Sequence, residues 1–440
     1  MRGDGRDAIV ERGRATSRIR NSVKQLLSKG ATLVMLGPGG VGKTTIAAAL
    51  AIAAAQAGLD TAVITVDPAR RLRDALGLER LSARPTRLDS RRLRAAGLAP
   101  SLKLSALMLD VKGAWDGLIA RFVKSPETRR RVLDNAFYRA LTEQFAGAEA
   151  YAALEQLYDL HASGRFDLEV VDTPPAAHAF EFLEAPAHLV RLLDSQSLRW
   201  LFAPSAAASR GLLGLAGRAA QFVAGQLERF AGIGTLTAIG EFFAALAGAA
   251  DSIRDQFRKV EGLLHAPTVH FVLVTTAEED RLNEARALVD RMATEGLRLR
   301  AIMLNRFLDE RAFRALAEAP RREPSHLAII AKLRATLGTE AASEGRMAGL
   351  TSYLEEYRAN QRAAIERAAA FARTLPAGVE LTLAPELEAG VRDLAAVGRI
   401  AGILVAGGSG RRFIADALVA TGATADRDPR RGPAGVKRRA

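Results

Sequence analysis

The sequence predicts an α/β protein organised on a doubly wound, mostly parallel sheet, and three observations carry that expectation. Short apolar runs recur at 32–36, 61–66, 166–172, 268–275 and 299–304, as buried parallel strands require. Helix-compatible stretches separate most of them, the alternation from which parallel sheets are built. Finally, a glycine-rich turn, Gly37-Pro-Gly-Gly-Val-Gly-Lys-Thr-Thr45, follows the first run and opens a helical one.

That turn suits a phosphate chain. Glycines let backbone N–H groups turn inward without Cβ clashes, Lys43 offers a point charge to β and γ oxygens, and Thr44 offers a hydroxyl to Mg²⁺. The helix expected over 44–57 aims its positive end at the anion. The reading against it is a chance glycine-rich turn in an alanine-rich chain. Strand-like and helix-like flanks favour nucleotide binding by Gly37, Gly39, Gly40, Val41, Gly42, Lys43, Thr44 and Thr45.

Taken in order, residues 8–29 read as a helix with Ile9, Ile19, Val23, Leu26 and Leu27 set among arginines. Gly58 breaks the helix after the loop, and the strand at 61–66 ends in Asp67-Pro-Ala-Arg-Arg-Leu72. A carboxylate there is placed for the γ-phosphate or its attacking water, unless Asp-Pro simply initiates a turn. Residues 70–103 are polar and arginine-rich, as a surface run would be. Helical spacing follows over 109–122, 128–141 and 149–160. The strand at 166–172 then ends in Asp172, the acid expected to hold Mg²⁺ through a water.

Residues 195–265 change character to glycine, alanine, leucine and phenylalanine, and insert between two parts of the nucleotide domain. Ile233, Leu236, Ile239, Phe243 and Leu246 share one helical face, as do Ile253, Phe257, Val260 and Leu264. Such stripes serve either as core or as an exposed apolar surface for a client or partner. The α/β rhythm then resumes. A strand at 268–275, a helix at 279–295 and a strand at 299–304 lead to Asn305-Arg306. An asparagine there can read a base edge. A helix at 353–374, a strand at 379–383 and Pro385 precede a flexible end from Gly407. The organisation expected is a basic N-terminal helix or tail at 1–30, the first part of the core at 31–194, an apolar helical subdomain at 195–265, the second part of the core at 266–405, and a flexible basic tail at 406–440.

Composition excludes several alternatives. With 440 residues and 49% hydrophobic content, the chain can bury a large core. There are no cysteines, which removes disulfides, thiolate-bound zinc and thiolate-bound arsenic or antimony. The six histidines show no metal-ligand spacing. The net charge is +13, but residues 1–30 and 411–440 each hold eight Lys/Arg against three Asp/Glu, so the body is nearly balanced. Solvated ends explain that pattern better than a nucleic-acid site. The N-terminus lacks an apolar signal region, so a cytoplasmic location is expected. Residues 231–250 hold one charge, Glu241, but a buried carboxylate would cost a membrane span about 3 kcal/mol, with four glycines and seven alanines offering little in return.

The order of motifs is specific: the glycine-rich loop, then Thr65-Val-Asp67-Pro-Ala-Arg-Arg-Leu72, Asp172-Thr-Pro-Pro-Ala-Ala-His178, Asn305, and Pro385-Glu-Leu-Glu-Ala-Gly-Val-Arg392. Over residues 31–404 the chain resembles the ArsA family of ATPases, within the deviant Walker A (MinD-like) P-loop class. That family includes arsenite-pump ATPases and Get-pathway targeting factors. Leu109-Asp-Val-Lys-Gly-Ala-Trp115-Asp and Glu155-Gln-Leu-Tyr158-Asp-Leu resemble the bacterial ArsA-like branch. The resemblance implies ATP as substrate and Mg²⁺ as cofactor. Lys43 and the loop backbone would hold the phosphates, Thr44 would ligate Mg²⁺ with Asp172 behind a water, Asp67 would orient or deprotonate the attacking water, and Asn305 with Pro385 would line the adenine pocket. It also implies a homodimer or heterodimer, with a protein client or membrane-associated partner at 195–265.

One departure matters. Pro38 stands where the family's signature carries a lysine that reaches the partner's nucleotide. Slow hydrolysis, a heterodimer with a lysine-bearing paralogue, or binding without turnover all remain open. The missing cysteines argue against direct arsenite transport. A ParA-like DNA-associated ATPase is the third expectation, supported only by the basic ends.

Overall fold

The computed structural model describes residues 22–66, 71–144, 148–173, 184–187, 190–191, 233–309, 311–314, 335, 344–387, 390–391 and 393–421. Its strands are β1 (Ala31–Leu36), β2 (Thr61–Thr65), β3 (Thr86–Arg87), β4 (Leu104–Met108), β5 (Leu168–Asp172), β6 (Val269–Thr275), β7 (Leu299–Leu304) and β8 (Glu380–Leu383). They form one sheet in the order β3-β4-β2-β5-β1-β6-β7-β8. Every pairing is parallel except that of the short edge strand β3 with β4. The chain leaves β1 towards β2 on one side and later adds β6, β7 and β8 on the other. The carboxyl end of β1 is therefore the switch point, where open α/β sheets leave a crevice.

Alternation along β1 divides the core into two layers. Leu33 and Met35 enter one apolar cluster, while Val34 and Leu36 enter the other. In the first layer lie α2 (Lys43–Gln56) and α13 (Leu394–Ala406), numbered with the short α1 (Ser22–Leu26) as the first helix. The residues of α2 from Ile46 to Ala54 are all at most 2% exposed. A helix apolar on every side belongs in the interior, and its alanines let Val397, Ile400 and Leu404 of α13 pack closely.

The opposite layer holds α5 (Val111–Phe122), α8 (Ala148–Ser163), α10 (Ala250–Leu264), α11 (Glu279–Thr294) and α12 (Glu344–Thr374). Before α5 come α3 (Arg71–Ala75) and α4 (Ser90–Ala95), whose Leu72 and Leu93 enter the first layer, and between members of the opposite layer come α6 (Pro126–Leu133), α7 (Ala136–Gln144) and α9 (Ile233–Leu246). Ile253, Phe257, Val260 and Leu264 of α10 are at most 6% exposed, so this stripe serves as core. Tyr151 stacks edge-on against Phe257 at 4.5 Å and tilts against Trp115 at 4.9 Å. On α9, Phe242 and Leu246 are buried and Phe243 is half-buried. Residues 195–232 lie outside the described residues, as do the side chains of Ile233 and Leu236. Among the described residues, no helix is long and apolar enough to cross a membrane.

The structure departs from expectation in three places. Strand β4 and edge strand β3 sit where a polar surface run giving way to a helix was expected. Helix α13 begins after Asp393, whose carboxylate accepts from the Ala396 N–H at 2.8 Å. And the flexible end expected from Gly407 begins with helix α14 (Gly410–Thr421), whose Ile414 and Ala417 are buried and which packs on α12 and β8. A Cβ at Gly410 would meet the Leu381 carbonyl at 2.6 Å, so this helix start lies directly on the sheet. Residues 1–21 and 422–440 are outside the described residues.

The layer around α2 yields a stability test. Leu50→Ala, at a fully buried position, should lower the unfolding free energy by roughly 2–5 kcal/mol in a denaturant titration.

Candidate functional site

The turn after β1 has little room for side chains. Gly37 has φ 145°, and a Cβ there would lie 2.1 Å from the Val274 carbonyl oxygen of β6. Gly42 has φ 92°, and its Cβ would lie 2.3 Å from the Asn305 side-chain nitrogen. Both positions therefore require glycine, for backbone angle and for space. Gly42 is also the residue before α2, and its carbonyl accepts from the Ile46 N–H at 3.0 Å. The helix thus opens straight out of the turn, with its first N–H groups towards the loop.

Lys43, the first residue of α2, is only 7% exposed. Its ammonium folds back and donates to the carbonyls of Gly37 at 3.0 Å and Pro38 at 2.9 Å. These bonds bring a buried positive charge to the concave side of the loop. Thr44, next along, donates its hydroxyl to Asp172 Oδ2 at 2.7 Å.

Asp172 reaches that hydroxyl because of sheet register. It ends β5, between β1 and β2, and is paired with Met35 on one side and Thr65 on the other. Its carboxylate is 1% exposed and also accepts from Thr65 Oγ1 at 3.3 Å. The Val66 N–H donates to the Asp172 carbonyl at 3.1 Å, and Thr173 Oγ1 donates to the Met35 carbonyl. A hydroxyl and a carboxylate in contact form a hard-oxygen donor pair. That chemistry fits Mg²⁺, which takes one or two protein oxygens and completes its shell from phosphate and water.

Asn305 follows β7 and is 4% exposed. Its backbone N–H donates to Thr275 O at 2.8 Å, and its side-chain amide donates to the Val41 carbonyl at 2.8 Å. It therefore braces the loop from the end of β7, two strands away from β1. Pro385 is buried just beyond Ala384, whose N–H bonds the Leu304 carbonyl at 2.9 Å, so it stands at the same edge of the sheet. Arg306, with φ 50°, is the single non-glycine residue with positive φ among the described residues. Gly37 to Thr45, Asp172 and Asn305 are thus drawn together, Pro385 shares their edge, and Asp67 lies outside the described residues.

The family model for anion-transporting ATPases, ArsA_ATPase, matches residues 31–323. The chain belongs to the ArsA ATPase family. An uncharacterised protein of Streptomyces coelicolor is 35% identical over 194 residues, covering 43% of this chain and 44% of the relative. The ATPase GET3 of Malassezia globosa is 25% identical over 283 residues, covering 62% and 71%. The arsenical pump-driving ATPase of Escherichia coli is 29% identical over 169 residues, covering 37% and 27%. The match spans less than half the length of two of these three.

Reasoning from sequence missed Thr65 as a partner of Asp172, the Pro38 carbonyl as a partner of Lys43, and the brace from Asn305 to Val41. Thr65 offered a signal, being the last polar residue of a buried strand two positions before Asp67. The other two are long-range or backbone contacts with no local mark. The crowding at Gly42 gives a prediction for this ArsA-family loop. Gly42→Ala should weaken ATP binding at least tenfold in a calorimetric titration while leaving the far-ultraviolet circular dichroism unchanged.

Proposed function

We propose that the chain is a Mg²⁺-dependent ATPase whose nucleotide state is coupled to the helical segment at 195–265. The observation that carries this reading is the meeting of Lys43, Thr44 and Asp172 at the carboxyl end of β1. Lys43 would exchange its two carbonyl partners for β and γ phosphate oxygens, at low cost because the loop keeps the ammonium in place. Backbone N–H groups of Gly39 to Thr45 would cradle the phosphates. Thr44 and Asp172 would hold Mg²⁺, which when bound neutralises charge on the β and γ oxygens. Asp67 would orient or deprotonate the attacking water, and Asn305 and Pro385 would bound the adenine. The partner surface would be a second copy or a paralogue, with a protein client or membrane-associated partner at 195–265, in the cytoplasm.

Pro38 favours a second reading, a weakly catalytic or non-catalytic subunit. Its side chain holds no cation, and it stands where the resemblance implies a lysine acting across the dimer.

Steady-state hydrolysis by the purified chain separates the two. Lys43→Ala should remove ATP binding and turnover together, whereas Asp67→Asn should keep affinity within about threefold and cut kcat by roughly 10²–10⁴. Turnover untouched by Asp67→Asn would sink the assignment of that residue. ATP binding without turnover in the wild type would withdraw the enzyme claim for the isolated chain. A cation restored at position 38 should matter most for a homodimer. Pro38→Lys should raise kcat at least tenfold, in the direction that a trans-acting cation gives at phosphoryl transfer.

A further inference from the structure

Beyond the phosphate loop, the two residues proposed to bound the adenine sit on adjoining stretches of backbone. Residues 305–309 leave β7, and residues 384–386 leave β8 beside them. The Ala384 N–H donates to the Leu304 carbonyl at 2.9 Å, the Phe307 N–H to the Ala384 carbonyl at 3.0 Å, and the Glu386 N–H to the Leu308 carbonyl at 2.7 Å. Pro385, which has no N–H, lies between the last two of these rungs. Asp309 pairs with Glu386 at the far end of the same ladder.

Arg306 makes this turn costly to hold. Its φ of 50° is left-handed backbone, which a side chain disfavours. Such a conformation persists where the surroundings fix it from more than one side. Asn305 fixes the turn from before, through Thr275 and Val41. Asp309 fixes it from after. Its Oδ1 accepts from the N–H groups of Arg311 at 3.1 Å and Ala312 at 3.0 Å, and its Oδ2 accepts from the Tyr357 hydroxyl and from Gln361 at 3.4 Å. Burial works against the charge on Asp309, but these four donors hold its carboxyl below the ordinary pKa. Tyr357 and Gln361 belong to α12, whose Ile365, Ala368 and Phe371 are buried in the core. The carboxylate therefore ties the turn after β7 to a helix that is itself anchored.

We propose that Asp309 is a positioning residue for the base: it holds the turn that carries Asn305 against the stretch that carries Pro385, and so keeps the pocket shaped for adenine before the nucleotide arrives. This rests on the reading of Asn305 and Pro385 as the adenine pocket. In that reading Asp309 touches no part of the nucleotide, so its removal acts on the base and not on the phosphates.

Isothermal titration of the whole chain with Mg²⁺-ATP and with Mg²⁺-GTP reads the effect. Asp309→Ala should weaken ATP about tenfold, the equivalent of one hydrogen bond, and leave GTP within about twofold. Tyr357→Phe, which keeps the ring that stacks on Tyr353, should weaken ATP about threefold in the same sense. A parallel loss of ATP and GTP would mean general loosening, and unchanged ATP affinity in both variants would mean no positioning; either overturns the proposal. Asn305→Ala separates it from the reading it rests on. If that change abolishes the preference for ATP while Asp309→Ala preserves it, Asp309 alone is wrongly assigned. A wild-type chain with no preference for ATP over GTP overturns the adenine pocket, and the role of Asp309 with it.

Discussion

Absence of space at the end of β1 governs the site. Because β1 runs between β5 and β6, the chain leaving it must pass the Val274 carbonyl of β6 and the Asn305 amide beyond β7. Any Cβ at Gly37 or Gly42 would sit inside those atoms. Glycine at both points lets the backbone bend tightly enough for Lys43 to reach back over the loop it has just left. The same turn releases α2 at an angle that places Thr44 on Asp172. A looser turn would separate the ammonium from the hydroxyl, and with them the proposed phosphate contacts from the proposed metal contacts.

Much of this was legible because it is local. The loop, the strand before it and the helix after it lie within 31–56, and period and composition mark each of them. Asp172 was legible for a similar reason, as a carboxylate at the end of an apolar run. The bond from Asn305 to the Val41 carbonyl spans 264 residues and exists only once β7 has been added beside β6. In sequence, Asn305 offered an amide able to read a base edge after a strand, and nothing of its contact with the loop. Strand β4 escaped notice because Leu104–Met108 is short and runs directly into the apolar start of α5. Helix α13 is Leu394–Ala406, with Gly398 and Gly402 inside it. Glycine weakens a helix signal, yet at Gly398 a Cβ would come 3.1 Å from Leu98, so close packing explains the residue.

The apolar stripe of α10 posed the sharper question, since a core face and a client face look alike in sequence. Burial against Trp115 and Tyr151 answers it for Ile253, Phe257, Val260 and Leu264. A polar anchor accompanies that packing. Glu155 of α8 is 2% exposed and accepts from Arg121 at 3.0 Å, Tyr151 at 2.6 Å and Gln256 at 2.9 Å. Burial raises the Glu155 pKa, while these donors favour its charged form.

The network joins α5, α8 and α10, and this limits how nucleotide state can be transmitted. Moving α10 alone would leave Glu155 without Gln256 and open the cluster around Phe257. Losing a hydrogen bond to a buried charged group costs about 1.5–3 kcal/mol. Moving α5, α8 and α10 as a unit breaks none of those bonds and exposes only the boundary between the unit and the sheet. The lower-cost motion is therefore a rigid shift of this helical layer over the sheet, with α10 carried along rather than released. If nucleotide state is coupled to the segment at 195–265 as proposed, such a shift would carry that segment along without melting the helix that ends it. On the proposed coupling, the point of transmission would be the face of β2 and β5, where Thr65 and Asp172 meet Thr44, rather than the apolar stripe itself.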